Sequence, residues 1–167
     1  MKQVCRRRCF ETNSSSVHTI TYSTKSIQPS TFVLDDDGYI NIVLRYFGRE
    51  SAMYTDQYTK LQYLMVCCWD GAGWDLEKML NGSNFLEIQD AIMDYVPFCN
   101  GIRVTDPKEA MSGNEPYDDP DDYYGVVGLD HQSHIEYGEI TIINIWDHEA
   151  VQNFVFNPNI ILTTGSD

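Results

Sequence analysis

MYTDQYTKLQYLMVCC, residues 53 to 68, sets how the rest of the chain is read. Within it Tyr54, Tyr58, Leu61, Met65 and Cys68 recur at spacings of four, three, four and three, the period of a helix that lays one apolar stripe on a core. A helix over 53–68 is therefore expected. After it, Trp69 to Asp75 (WDGAGWD) has two glycines and two indoles, a helix-ending loop that leads to a short turn near Leu76 to Leu80. Ser83 or Asn84 is placed to cap a further helix with Phe85, Ile88, Ile92 and Tyr95 or Val96 inward. Pro97 stops that helix, because proline disfavours helical geometry in the residue before it. Asp147 opens a last helix, with Ala150, Val151, Phe154 and Val155 on its core side and Pro158 beyond its end.

Outside these helices the apolar period falls to two. Val17 to Tyr22 (VHTITY) and Tyr39 to Tyr46 read as strands, and the turn signal Asp35, Asp36, Asp37, Gly38 ahead of the second suggests that they pair as a hairpin or meander. Ile102 to Thr105, Tyr123 to Leu129, Ile135 to Ile145 and Ile160 to Thr163 complete the set; Ile135 to Ile145 is apolar on both faces and is expected to be central. Residues 106 to 122 (DPKEAMSGNEPYDDPDD) carry three prolines and little apolar content, and are expected to form a mobile acidic loop. Strands at both ends with helices grouped between them predict an α+β fold. Over 1–167 this is a single domain with a mostly antiparallel sheet packed against two or three helices.

The net charge of −14 and a pI near 4.4 exclude nonspecific nucleic-acid coating, which needs cations against phosphates. Charge is unevenly spread: Met1 to Lys25 has five basic residues against Glu11 alone, or +4, so the remainder carries −18. No apolar run follows Arg6, Arg7 and Arg8 as a secretory signal requires, and no stretch of about 20 apolar residues is present. A cytoplasmic protein with no membrane and no direct nucleic-acid partner is expected. The five cysteines, Cys5, Cys9, Cys67, Cys68 and Cys99, are odd in number and fit reduced thiols. Cys67 and Cys68 end the apolar helix and read as small buried hydrophobes; Trp69 and Trp74 read first as core or loop anchors and second as a platform for a base or sugar.

Three constellations could carry function. Glu11, Thr12, Asn13, Ser14, Ser15, Ser16 and His18 place hydroxyls and an amide just before a strand, where they can bind an anion or sugar or simply cap their own backbone. Asp130, His131, Gln132, Ser133 and His134 form a second polar segment. His18, His131 and His134 are the right ligand types for a divalent metal with an open position, and Asp130 can orient a histidine. A nucleophile among Ser14, Ser15 and Ser16 with His18 or His131 as base lacks the glycine-flanked elbow such serines use. The third constellation is Glu115, Asp118, Asp119, Asp121 and Asp122 with Tyr117, Tyr123 and Tyr124, either a solubilising charge run or carboxylates that stand in for phosphates on a basic groove.

Arg8 to His18 (RCFETNSSSVH) resembles the opening of small proteins encoded by phages and prophages of Gram-positive bacteria, which share an F-E-T-N-S-S-S-x-H motif. Tyr46 to Glu50, with Arg49 where those proteins have Trp, is similar, as are Lys60 to Leu64, Asp130 to Ser133 and Phe154 to Asp167. The resemblance brings no reaction with it. It implies that the serine-rich loop and Asp130 to Ser133 are shared polar features of one ligand site, drawn from Glu11, Asn13, Ser15, His18, Asp130, His131, Gln132 and Ser133.

Two classes of function follow. The first is a phage-encoded accessory protein, without cofactor, that works in the host cytoplasm by binding a host protein with a basic groove. It would inhibit a nucleic-acid-binding defence system of the anti-CRISPR or anti-restriction kind, with Glu115, Asp118, Asp119, Asp121, Asp122 and Tyr123 in contact. The second is a small hydrolase, transferase or ligand-binding protein that uses Ser14, Ser15, Ser16, His18, Asp130 and His131, with or without a divalent metal. No complete catalytic signature is present, which favours binding over catalysis.

Overall fold

A computed structural model of the protein describes residues 2–4, 19–22, 29–47, 52–105, 128–129 and 143–164. They form strands β1 (Lys2–Val4), β2 (Thr19–Tyr22), β3 (Tyr39–Val43), β4 (Tyr46–Phe47) and β5 (Ala52–Tyr54), then helices α1 (Gln57–Gly71), α2 (Leu76–Leu80) and α3 (Ser83–Tyr95). Strands β6 (Gly101–Thr105) and β7 (Gly128–Leu129), helix α4 (His148–Phe156) and strand β8 (Ile161–Thr164) follow. The fold mixes helices and strands.

Helix α1 is its centre. It begins at Gln57 and not at Met53, because Met53 and Tyr54 are claimed by β5 opposite Thr163 and Leu162 of β8, and Asp56 then caps the helix by accepting from the Thr59 amide at 2.7 Å. Its burial corrects the one-sided stripe read from the sequence: Gln57 and every residue from Thr59 to Trp69 are buried. A helix buried all round must satisfy its polar side chains internally. Gln57 accepts from the amide of Thr31 at 2.8 Å and donates to the carbonyl of Pro29 at 3.1 Å, and Gln62 donates to the carbonyl of Val43. Beyond the helix, Gly73 and Trp74 both take left-handed backbone, φ 71° and 63°, which turns the chain and sets the Trp74 indole edge-on against Trp69 at 4.8 Å. The two indoles thus anchor the core, and Cys67, Cys68 and Cys99 are buried.

Helix α3 starts at Ser83 with Gly82 as its N-cap and no side-chain cap, so neither Ser83 nor Asn84 caps it. Phe85, Ile88, Ala91 and Ile92 face inward, and Val96 turns extended ahead of Pro97. Helix α4 is capped as the sequence suggests, by Asp147 accepting from the Ala150 amide at 3.2 Å, and it buries Val151, Phe154, Val155 and Phe156.

Among the described residues the strands fall into three separate sheets where one was expected. Strands β1, β2, β8 and β5, in that order, make an antiparallel sheet in which β2 lies on β8 with Ile20 opposite Leu162. Strands β3 and β6 run parallel with Ile40 opposite Ile102, and β4 and β7 form a second parallel pair. The hairpin expected between residues 17–22 and 39–46 is therefore not made. The Asp35–Gly38 turn instead folds the chain back on Leu34, which bridges to Ile40, and β2 pairs with the two ends of the chain. The expected strand 39–46 also breaks after Val43. Of 135–145, Ile143 to Ile145 are described and are not strand; the rest, most of 123–129 and the acidic loop 106–122 lie outside the described residues.

Candidate docking surfaces

The residues singled out from sequence, Glu11, Asn13, Ser14, Ser15, Ser16, His18, Glu115, Asp118, Asp119, Asp121, Asp122, Tyr123, Asp130, His131, Gln132, Ser133 and His134, all lie outside the described residues. Among the described residues no group of three His, Cys, Asp or Glu side chains is arranged to hold a metal ion, and no helix is long and apolar enough to cross a membrane. Two surface regions carry chemistry that sequence reasoning missed.

The first is the corner where the turn before β3 meets the turn before β6. The Asp35 carboxylate accepts from the amides of Tyr39 at 2.8 Å and Asp37 at 3.0 Å, from the Asn41 side chain, and from Arg103 of β6 at 2.8 Å. The Tyr39 bond first, then Asn41 and the Arg103 charge, hold this carboxyl below its ordinary value. Arg103 also reaches Asp37 at 3.0 Å and lies over the Tyr39 ring at 4.1 Å. Asn100 locks the two turns together: its amide donates to the Gly38 carbonyl at 2.8 Å and its side chain to the Asp37 carbonyl at 2.7 Å. Between Pro97 and Cys99, Phe98 stands out from this corner, 92% exposed with φ of 64°.

The second region joins α3 to the start of α4. His148 places Nδ1 2.9 Å from the Asp94 carboxylate and Nε2 3.6 Å from that of Glu87, two residues seven apart and so on one helix face. The Asp94 hydrogen bond, with the Glu87 charge behind it, raises the imidazole above its ordinary pKa. Gln152 fastens the same helices by donating to the Ala91 carbonyl at 2.9 Å. The solvent side of the two helices carries Asp90, Asp94, Asp147 and Glu149 beside exposed Leu86, Met93 and Trp146.

Acidic residues outnumber basic ones among the described residues. The described residues include twelve Asp or Glu against five Lys or Arg. Of the five, Lys60 is wholly buried, donating from Nζ to the carbonyls of Asn157 at 2.8 Å and Ile160 at 3.4 Å, and Arg103 is held by Asp35 and Asp37. Burial pushes the Lys60 pKa down to about 8, against the nearby Asp56 charge that favours the ammonium.

Comparison with protein-family models, with curated proteins and with solved structures found no match.

Proposed function

We propose that the protein acts by binding, as a phage-encoded accessory protein that occupies the basic groove of a host nucleic-acid-binding defence protein, of the anti-CRISPR or anti-restriction kind, in the host cytoplasm. The observation that carries this reading is the partition of charge. Acids face solvent on both surface regions, while Lys60 is spent on backbone carbonyls and Arg103 on two aspartates. A surface with many carboxylates and few opposing cations repels nucleic acid and attracts the grooves that bind it. The phage-type opening sequence and the net charge of −14 support the same reading. Glu115, Asp118, Asp119, Asp121 and Asp122 extend the acidic character through residues 106–122, and Tyr123 follows them.

The test is to recover the host protein that binds the purified chain, measure the association rate across salt concentrations, and repeat with duplex DNA as competitor. A charge-steered encounter slows as screening shortens to about 8 Å near physiological ionic strength. Competition by DNA together with slower association of the Asp118, Asp119, Asp121 and Asp122 to Asn variant is expected. Association indifferent to both salt and DNA overturns the proposal.

A further inference from the structure

We infer that Phe98 is the apolar anchor of a docking site, and that its partner is a protein surface with an apolar pocket rimmed by arginine. The inference deepens the acidic-binder reading and rests on it. A phenylalanine left 92% exposed gains nothing from burial in the fold. Its backbone is also in the left-handed region, where a bulky side chain is strained and glycine or asparagine is the ordinary occupant. Both properties work against stability, so the folded chain by itself does not explain why an aromatic ring stands there.

What the corner does provide is rigidity. The Phe98 carbonyl lies 3.0 Å from where a Gly38 Cβ would stand, and the two amides that follow it, of Cys99 and Asn100, donate to the carbonyls of Val96 and Gly38. The ring is thus presented on a fixed platform, and little freedom is lost when it is buried by a partner. Interface anchors are commonly aromatic, placed in pockets and surrounded by polar groups. The turn that Asn100 ties to this segment carries the exposed carboxylates of Asp36 and Asp37, with Arg103 opposing only part of their charge. Arginine answers both features, because it pairs with carboxylate and stacks on an aromatic face.

The test measures binding of the full chain to two synthetic peptides of about ten residues, one alternating arginine and leucine, the other all arginine. Phe98→Gly and Phe98→Asn are compared with the parent, and thermal midpoints are recorded for all three. The parent is expected to bind both peptides, and both variants to lose about tenfold in affinity for the arginine–leucine peptide while keeping that for oligoarginine within about twofold. The midpoint of Phe98→Gly is expected to rise by a few degrees as the left-handed strain is relieved. A drop in both binding and midpoint in both variants would mean that Phe98 supports the fold, and overturns the proposal. Undiminished arginine–leucine binding in both variants overturns it as well and leaves the acidic-binder reading intact. A parent that binds neither peptide removes that reading and this one with it.

Discussion

Lys60 Nζ lies 2.8 Å from the carbonyl oxygen of Asn157, a residue 97 positions further along the chain, and none of the lysine is exposed. The bond ties the central helix to the end of α4 and, through the Ile160 carbonyl, to the start of β8. Burial costs the ammonium its hydration, so the folded chain holds the Lys60 proton less tightly than the unfolded chain does, with a pKa of about 8 against 10.5. Between those values the unfolded state binds more protons, and stability from this group rises with pH. The expected gain is on the order of 3 kcal/mol across that window. Urea unfolding at pH 7.5 and 10 in the parent and in Lys60→Met isolates it. The parent should gain on the variant as pH rises, and a difference constant with pH would contradict the account.

Lys60 also shows why much of the fold was hidden in sequence. Gln57, Lys60 and Gln62 read as the wet side of an amphipathic helix, yet their partners Pro29, Asn157 and Val43 stand 28, 97 and 19 residues away. No local pattern encodes such bonds. What was legible was local: the helix period in α1 and α3, the stop before Pro97, the Asp147 cap and the turn at Asp35–Gly38. The turn forms as expected, but Ile40 bridges back to Leu34 only six residues earlier, and the lasting partner of β3 is β6, about 60 residues away, which no local pattern specifies. The parallel pairing of β3 with β6 needs the whole intervening run of helices as its crossover, which alternation alone does not reveal. At the surface, Phe98 follows Pro97 in a turn and belongs to no apolar stripe, the one cue that set it apart from the core residues.

His148 makes a pH prediction of opposite sign. Its pKa is raised by Asp94 and Glu87, so its contribution is fully present below the unfolded value of 6.5 and is lost as pH rises through the folded value. The thermal midpoint of the parent relative to His148→Ala should therefore be highest near pH 5.5 and decline above neutrality. A midpoint difference that is flat or grows with pH would show that the imidazole does not link α3 to α4 as an ion.

Thiol chemistry should follow burial. Burial drives the Cys68 thiol well above its ordinary pKa, with the Cys67 charge adding to the effect, and Cys99 is buried as well. A thiolate is the reacting species. In a Cys5→Ser, Cys9→Ser variant, alkylation of Cys67, Cys68 and Cys99 at pH 8 is expected to be orders of magnitude slower in buffer than in denaturant, as read by mass spectrometry. Fast labelling of Cys67 and Cys68 in the native protein would show that this end of α1 opens readily.

Two left-handed glycines separate steric from conformational cost. Gly38 has φ 83°, and a Cβ there would fall 2.7 Å from Asn100 Nδ2 and 3.0 Å from the Phe98 carbonyl. The first neighbour can swing aside only by breaking its bond to the Asp37 carbonyl, and the second is backbone. Gly73 has φ 71° with nothing within 4 Å of the same position. Gly73→Ala should therefore cost about 1 kcal/mol, the conformational penalty alone. Gly38→Ala adds the clash and the lost Asn100 bond, and should cost about 2–3 kcal/mol. Urea denaturation of both variants decides the matter, with the slope against denaturant checked for constancy so that the midpoints report stability. Equal losses at the two positions would mean that the turns before β3 and β6 are not locked through Asn100, and the rigid platform beneath Phe98 would lose its basis.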